Sequence, residues 1–242
     1  MHDAIFCWSG GKDSAFALYK VLQTKEYRVV SLFTTVNEAY RRVSMHGVRQ
    51  ELIKKQSESI GIPLDIMYVS EGSNAEYERK MEKYLQQKKA EGVHYAIFGD
   101  IFLEDLRAYR DKNLARAGFT GVYPLWKQET NPLSREFIAL GFKTVLCCTN
   151  DAYLGKEYAG EVFTNSLLHK FPVNVDPCGE NGEFHSFCFD GPVFTRPVKY
   201  GKGEIVYKPL EVKLSEDHPP LPAGHKPARG FWYCDLIPDS VM

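Results

Sequence analysis

One rhythm runs through the first two-thirds of the 242-residue chain and limits what it can fold into. Amphipathic segments rich in Glu, Lys and Gln stop at a glycine, and a short apolar run begins at once. Gly61 leads into IPLDIMYV, Gly92 into VHYAIFG, Gly118 into FTGVYPLW and Gly141 into FKTVLCC. A glycine just past a helix end takes the left-handed conformation that caps the helix. The runs that follow, rich in Val, Ile, Phe and Tyr, read as buried strands. With AIFCW and RVVSLFTTV at the front, the alternation predicts an α/β fold: a parallel sheet with helices on both faces.

From about Gly155 the texture changes. EYAGEVFTNSLLHKF reads as a helix with Val162, Leu167 and Leu168 available to pack. Beyond Pro172 the chain is rich in Pro, Gly and aromatics, and EFHSFCFDG, EIVYKPLEVKL and GFWYCDLI read as strands of a smaller α+β region. SEDHPPLPAGHKPARG reads as an exposed loop, because its prolines lack donors and fix φ. The expected division is residues 1–128 and 129–242.

The bulk numbers narrow the function classes. A formal net charge of −1 gives no basic excess for tRNA or duplex DNA, which disfavours nucleic acid and favours a small molecule or a protein as partner. The six cysteines form no C-x-x-C pair and no metal-ligand spacing. MHDAIFCW lacks the layout of a signal peptide, and no run approaches the ~20 apolar residues of a membrane helix. The expectation is a reduced, cytoplasmic protein with no membrane partner.

Between the first strand and the first helix stands Ser9-Gly10-Gly11-Lys12-Asp13-Ser14. It is not a Walker A loop, since Phe6 occupies the first glycine position and Asp13 follows the lysine. Nor is it a dinucleotide fingerprint, which would need glycine at Lys12 and Ala15. A bland reading is a tight turn with a solvated lysine. The chemical reading is an anion cradle: Gly10 and Gly11 offer bare N–H groups, Ser9 and Ser14 offer hydroxyls, and Lys12 offers charge. Asp13 would cap the helix or position a metal. The string resembles the pyrophosphate loop of the N-type ATP pyrophosphatases, which implies an adenine nucleotide alpha hydrolase-like (HUP) domain with ATP phosphates on the loop.

On that resemblance YAIFGDI puts Gly99 and Asp100 on the same rim of the sheet, Gly99 beside the nucleotide and Asp100 as a ligand for the Mg²⁺ that accompanies ATP. An ordinary N-cap aspartate is the competing role. Thr34, Thr35 and His46, after the second strand, would meet adenine, or serve as loop residues and caps. In VDPCGENGEFHSFCFDGPVF, Asn181-Gly182 is a type I′ hairpin signal. Period-two alternation would point Glu183 and His185 to one face as an acid/base or hydrogen-bonding pair.

Together S-G-G-K-D-S, Pro124-Leu125-Trp126, D-P-C-G-E-N-G-E-F-H and the following D-G-P resemble the diphthine–ammonia ligase family across nearly the whole chain. The resemblance implies that ATP adenylates a carboxylate with release of pyrophosphate, and that ammonia then displaces AMP to give an amide. It implies Lys12, Glu183 and His185 as catalytic residues. Arg107, Gly179, Glu180, Asn181, Gly182 and Glu183 would lie on the acceptor side. Asp13 and Asp100 would meet Mg²⁺. The partners are then ATP, ammonia and a carboxylate-bearing acceptor, either a protein side chain or a small molecule, with self-association left open.

One departure stands out in GDIFLEDLRAYRDKN. Asp100, Leu103 and Leu106 occupy positions where the archaeal and eukaryotic ligases carry alanine, serine and glutamine, while Arg107 is kept. This resembles a bacterial branch whose cells do not make diphthamide and whose suggested roles are cobalamin-linked. Two other functions stay open: a tRNA-modifying ATP pyrophosphatase, for which Cys147-Cys148 in an apolar strand is a poor thiol pair, and a non-catalytic adenine-nucleotide module.

Overall fold

The structure, a computed structural model, describes residues 1–44, 46–70, 74–210 and 229–239. The front half runs β1 (His2–Cys7), α1 (Lys12–Thr24), β2 (Tyr27–Asn37), β3 (Arg42–Val43), α2 (Gln50–Ile60), β4 (Leu64–Val69), α3 (Asn74–Ala90), β5 (Tyr95–Ile97), α4 (Glu104–Ala117) and β6 (Thr120–Val122). The back half adds α5 (Thr130–Ala139), β7 (Lys143–Asn150), α6 (Asn165–Leu168), β8 (Phe184–Asp190), β9 (Tyr200–Pro209) and β10 (Gly230–Pro238). The glycines expected to end helices do so: Gly61, Gly92, Gly118 and Gly141 all have φ between 77° and 86°.

β1 pairs in parallel with β2 on one edge and β5 on the other, and β5 pairs with β6. Leu32 and Phe33 of β2 face Phe6 and Cys7 on one side and Leu64 and Asp65 on the other, so β4 closes that edge. β3 adds a short antiparallel pairing, Val36 with Val43. The chain therefore works outward from β1 to β4 and restarts on the other side at β5. Open α/β sheets bind ligands beyond the carboxyl ends of the strands at such a switch point, here between β1 and β5.

Alternation along β1 separates two apolar clusters. Ala4 and Phe6 pack with Phe16 and Leu18 of α1 and Leu52 and Ile53 of α2. Ile5 and Cys7 look the other way, toward Leu85 of α3 and Leu114 of α4. Helices thus cover both faces. The first cluster continues without a break into the back half, through Val145, Phe187 and Leu236, and so crosses the expected division after residue 128.

Two expectations change here. FKTVLCC is not a further parallel strand: β7 lies inside an antiparallel sheet ordered β8-β7-β10-β9. Every residue from Thr144 to Asn150 is buried, and a strand covered on both faces shows the same continuous apolar run whatever its pairing. EYAGEVFTNSLLHKF is mostly not helical. It holds a 3₁₀ turn at Lys156–Tyr158 and the single turn of α6, capped by Thr164. Between them the backbone bonds to β7, with Gly160 N–H on Leu146 O at 2.7 Å and Phe163 N–H on Thr144 O at 2.8 Å. Gly160, at φ 86°, makes the turn into that pairing. Residues 215–228 of the proline-rich stretch, and residues 211–214 of the strand expected before it, lie outside the described residues. Among the described residues no helix is long and apolar enough to cross a membrane.

β10 is tied to the front sheet by charge. Asp235 accepts from Arg49 Nε and Nη2 at 3.1 and 2.7 Å and meets Arg42 Nη1 at 2.8 Å. The Arg49 hydrogen bonds, and then Arg42, pull its carboxyl down to about 2. A carboxyl depressed on folding stabilises the protein above its unfolded pKa, and that contribution disappears as pH falls through the folded value. Asp235→Asn should therefore cost about 2 kcal/mol at neutral pH and nothing below the folded pKa. Denaturant unfolding at the two pH values measures this, and an equal loss at both would rule the charge pairing out.

Candidate active site

The turn after β1 reverses the chain at Gly10, where φ is +80°. A Cβ there would stand 2.5 Å from Ile53 Cδ1 and 2.8 Å from Gln56 Oε1, so both space and backbone require glycine. Gln56 is fully buried, and its amide holds the turn from below. Its Oε1 accepts from Trp8 Nε1 at 2.8 Å, and its Nε2 donates to Gly10 O and Cys188 O at 2.9 and 2.6 Å. β8 holds the turn from the side: Cys188 N–H donates to Gly10 O at 2.8 Å, and Ser186 Oγ accepts from Lys12 N–H at 3.1 Å. The Ser9 and Ser14 hydroxyls lie 2.7 Å apart. Gly99 is a spacer, since a Cβ on it would approach Asp13 C and Ser14 N to 2.9 Å.

A cavity of about 760 Å³ opens above this turn. Ser9, Gly11, Asp13 and Ser14 form its floor, with Thr34 and His46 toward β2 and Gly99 and Asp100 beyond β5. Gly179, Glu180, Asn181, Gly182 and His185 close it from the back half. Residues expected at the nucleotide and residues expected at the acceptor therefore share one chamber. Gly10, Lys12, Glu183 and Arg107 are not in its wall. Lys12 is only 2% exposed, sits over the Phe184 ring at 5.6 Å and pairs with Asp13 Oδ1 at 2.5 Å. Burial is the largest influence and works against its charge, but Asp13, Cys178 and Glu180 together hold the lysine above its ordinary pKa. Asp13 itself is raised, by burial first and by Asp176.

The D-P-C-G-E-N-G-E segment is a loop built on two carboxylates rather than a hairpin, because β8 pairs with β7 and not with the chain before it. Asp176 accepts from Cys178 N–H at 2.9 Å, Glu180 N–H at 3.3 Å and Thr130 Oγ1 at 2.6 Å. Glu183 is fully buried and accepts from Asp176 N–H, Asn181 N–H and Asn181 Nδ2 at 2.9, 2.9 and 3.0 Å. Glu183 thus shapes the loop while His185 reaches the cavity, and the expected pair does not form. His185 packs instead on His46, ring centroids 4.7 Å apart. Burial, then Lys12, lowers His185 to about 4; burial, then His185, lowers His46 to about 3. Both shifts favour the uncharged rings at physiological pH.

Glu180 crosses the cavity to the connection after β5. Its Oε1 accepts from Ile101 N–H at 2.7 Å and Phe102 N–H at 3.2 Å. Burial, then the Asp13 charge, raises it to about 7. Asp100 is bound to Arg110 at 2.8 Å, and Arg107 lies on the rings of Tyr123 and Trp126 at 4.6 and 4.5 Å. Trp126 of the P-L-W tripeptide supplies one of these rings, and Tyr123 just before it the other. Both carboxylates expected at Mg²⁺ already face a cation, and among the described residues no group of three potential ligands gathers.

Sequence reasoning missed Gln56, Arg110, Ser186 and Cys178. Gln56 had a readable signal, a polar residue on the same helical stripe as Leu52 and Ile53. The other three had none, because they join the cavity wall only through tertiary contact. If Gly99 is a spacer, Gly99→Ala should displace the start of α1 and weaken ATP binding by roughly tenfold or more, a shift of about 1.4 kcal/mol. Calorimetric titration checks it, and wild-type affinity would show that the turn yields freely.

Residues 2–120 match the family model of the diphthamide synthase N-terminal domain, and residues 129–212 that of the C-terminal domain. The diphthine–ammonia ligase of Danio rerio is 25% identical over 229 residues, covering 82% of this chain and 86% of that protein. The Mus musculus and Homo sapiens enzymes of the same name are 24% and 23% identical, with 82% of each chain covered. With both halves matched in order, the chain belongs to the diphthamide synthase family.

Proposed function

We propose that this enzyme, an ATP-dependent carbon–nitrogen ligase, activates an acceptor carboxylate as its adenylate and then joins it to ammonia. The observation that carries the reading is the single chamber, in which the glycine turn at the switch point faces the acceptor loop with no wall between them. A carboxylate repels nucleophiles and has no leaving group. Attack on the α-phosphate of ATP turns its oxygen into part of AMP and sends pyrophosphate onto the turn.

In this reading residues 1–128 hold the nucleotide and residues 129–242 the acceptor. The turn's N–H groups and the Ser9 and Ser14 hydroxyls meet the departing pyrophosphate. Lys12 exchanges Asp13 for a phosphate oxygen, which places a buried positive charge where negative charge grows. Mg²⁺ would accompany ATP as its counter-ion. His46 and His185, uncharged, orient oxygens without competing for the proton balance. The relatives' name supplies diphthine as the first acceptor to try. Cys147 and Cys148 are buried thiols with pKa values raised by burial, which disfavours sulfur transfer. All six cysteines are free thiols, in keeping with a cytoplasmic protein.

Lys12→Ala is expected to lower pyrophosphate release roughly 10²–10³-fold while changing ATP affinity far less. The measurement is labelled-ATP turnover with diphthine and ammonium chloride, wild type beside variant. Undiminished turnover would remove Lys12 from the reaction, and ATP consumed to ADP would remove the adenylate.

A further inference from the structure

Ligation with ammonia carries a proton problem. At neutral pH ammonia is almost wholly ammonium, which has no lone pair, so the nitrogen has to lose a proton before it attacks, and a base beside the acyl carbon lets the abundant ammonium serve directly. We propose that Glu180 is that base, a catalytic residue that takes a proton from ammonium through Oε2. The role rests on the adenylation reading and adds to it the group that handles the second substrate.

Geometry singles Glu180 out. Asp13 is paired with Lys12 and Asp100 with Arg110, which leaves Glu180 as the carboxylate in the cavity wall without an ion-pair partner among the described residues. Asp176 and Glu183 spend their oxygens on loop N–H groups and Thr130. Glu180 is anchored by Oε1 alone, on Ile101 and Phe102, so the carboxylate is fixed in orientation with its second oxygen open. The surrounding charge suits a small cation. From α1, Asp13 faces it with Lys12 behind; from its own loop come Asp176 and the protonated Cys178 thiol. From beyond β5 comes the neutralised Asp100–Arg110 pair, and from β8 the uncharged His185, packed against His46. A carboxyl raised to about 7 is a stronger base than an ordinary glutamate and is still largely ionised just above neutrality.

The step balances. Ammonium gives one proton to Glu180, and the freed nitrogen forms a bond to the acyl carbon. The acyl carbon–oxygen bond to AMP breaks, with the electron pair leaving on the phosphate oxygen. The nitrogen sheds its remaining extra proton to water, and Glu180 returns its own to solvent.

Glu180→Gln keeps a carbonyl oxygen for Ile101 and Phe102 and loses the basic oxygen, so it tests the role without removing the clamp. The assay is ATP with diphthine and one of two nucleophiles: ammonium chloride, or hydroxylamine, which is unprotonated at neutral pH. Ammonia-dependent amide should fall roughly 10²–10⁴-fold, while hydroxylamine-dependent hydroxamate falls no more than about threefold. Against total ammonium, wild-type rate should rise up to about pH 7 and level off. The variant's rate should keep climbing about tenfold per pH unit beyond that, following free ammonia. Equal loss with both nucleophiles would make Glu180 a positioning residue, and undiminished ammonia use would end the proposal. Should wild type release no pyrophosphate, the adenylation reading itself fails. The Glu180 carboxyl is then followed by ¹³C NMR, assigned by its absence in the variant. A titration indifferent to ammonium chloride against tetramethylammonium chloride overturns ammonium binding as well.

Discussion

A single buried amide decides where everything else in this protein sits. Gln56 spends its oxygen on Trp8 and its nitrogen on the carbonyls of Gly10 and Cys188. Each of those groups lies away from water, where an unmet partner costs about 1–3 kcal/mol. The amide therefore fixes the distance between the end of β1, the turn and β8 at once. The shape of the turn and the position of the second sheet are one constraint rather than two. Ser186 extends it, because the hydroxyl bonded to Lys12 N–H belongs to the same strand.

The acids of the site illustrate how position divides labour among similar groups. Asp176 and Glu183 face inward and act as acceptors for backbone N–H groups, which lets an irregular loop survive in a dry interior. Asp13 and Asp100 each neutralise a cation. Glu180 lies between these uses, half satisfied by backbone and half open to the cavity. The loop's composition, with Asp, Glu and Glu spaced over eight residues, follows from needing rigidity and an open carboxylate in one short stretch.

Much of the architecture was legible because it rests on local rules. Helix-ending glycines, apolar runs and the glycine turn after β1 each declare themselves within a few residues. The misreadings share a cause, which is that the deciding partner lies far along the chain. β7 looked parallel because burial on both faces erases the pattern that distinguishes pairing. Residues 157–171 looked helical because nothing local shows that β7 offers part of them a backbone partner. Asn181-Gly182 has hairpin chemistry, yet Glu183 folds that turn back on itself. Arg107 and Arg110 lie three apart on one helix, and partners elsewhere in the chain separate them, the rings of Tyr123 and Trp126 taking one and Asp100 the other.

The apolar cluster that joins Phe6 to Phe187 and Leu236 also has a bearing on ancestry. The two matched domains lie on either side of residues 121–128, as if the gene were a fusion with a seam. A fragment ending there would cut the apolar cluster open and take Cys188 O away from the Gln56 amide. Recombination at that seam would pair halves that had never adjusted to each other. Lineages of this protein are thus expected to inherit both segments together, with substitutions under β8 answered by substitutions in α2.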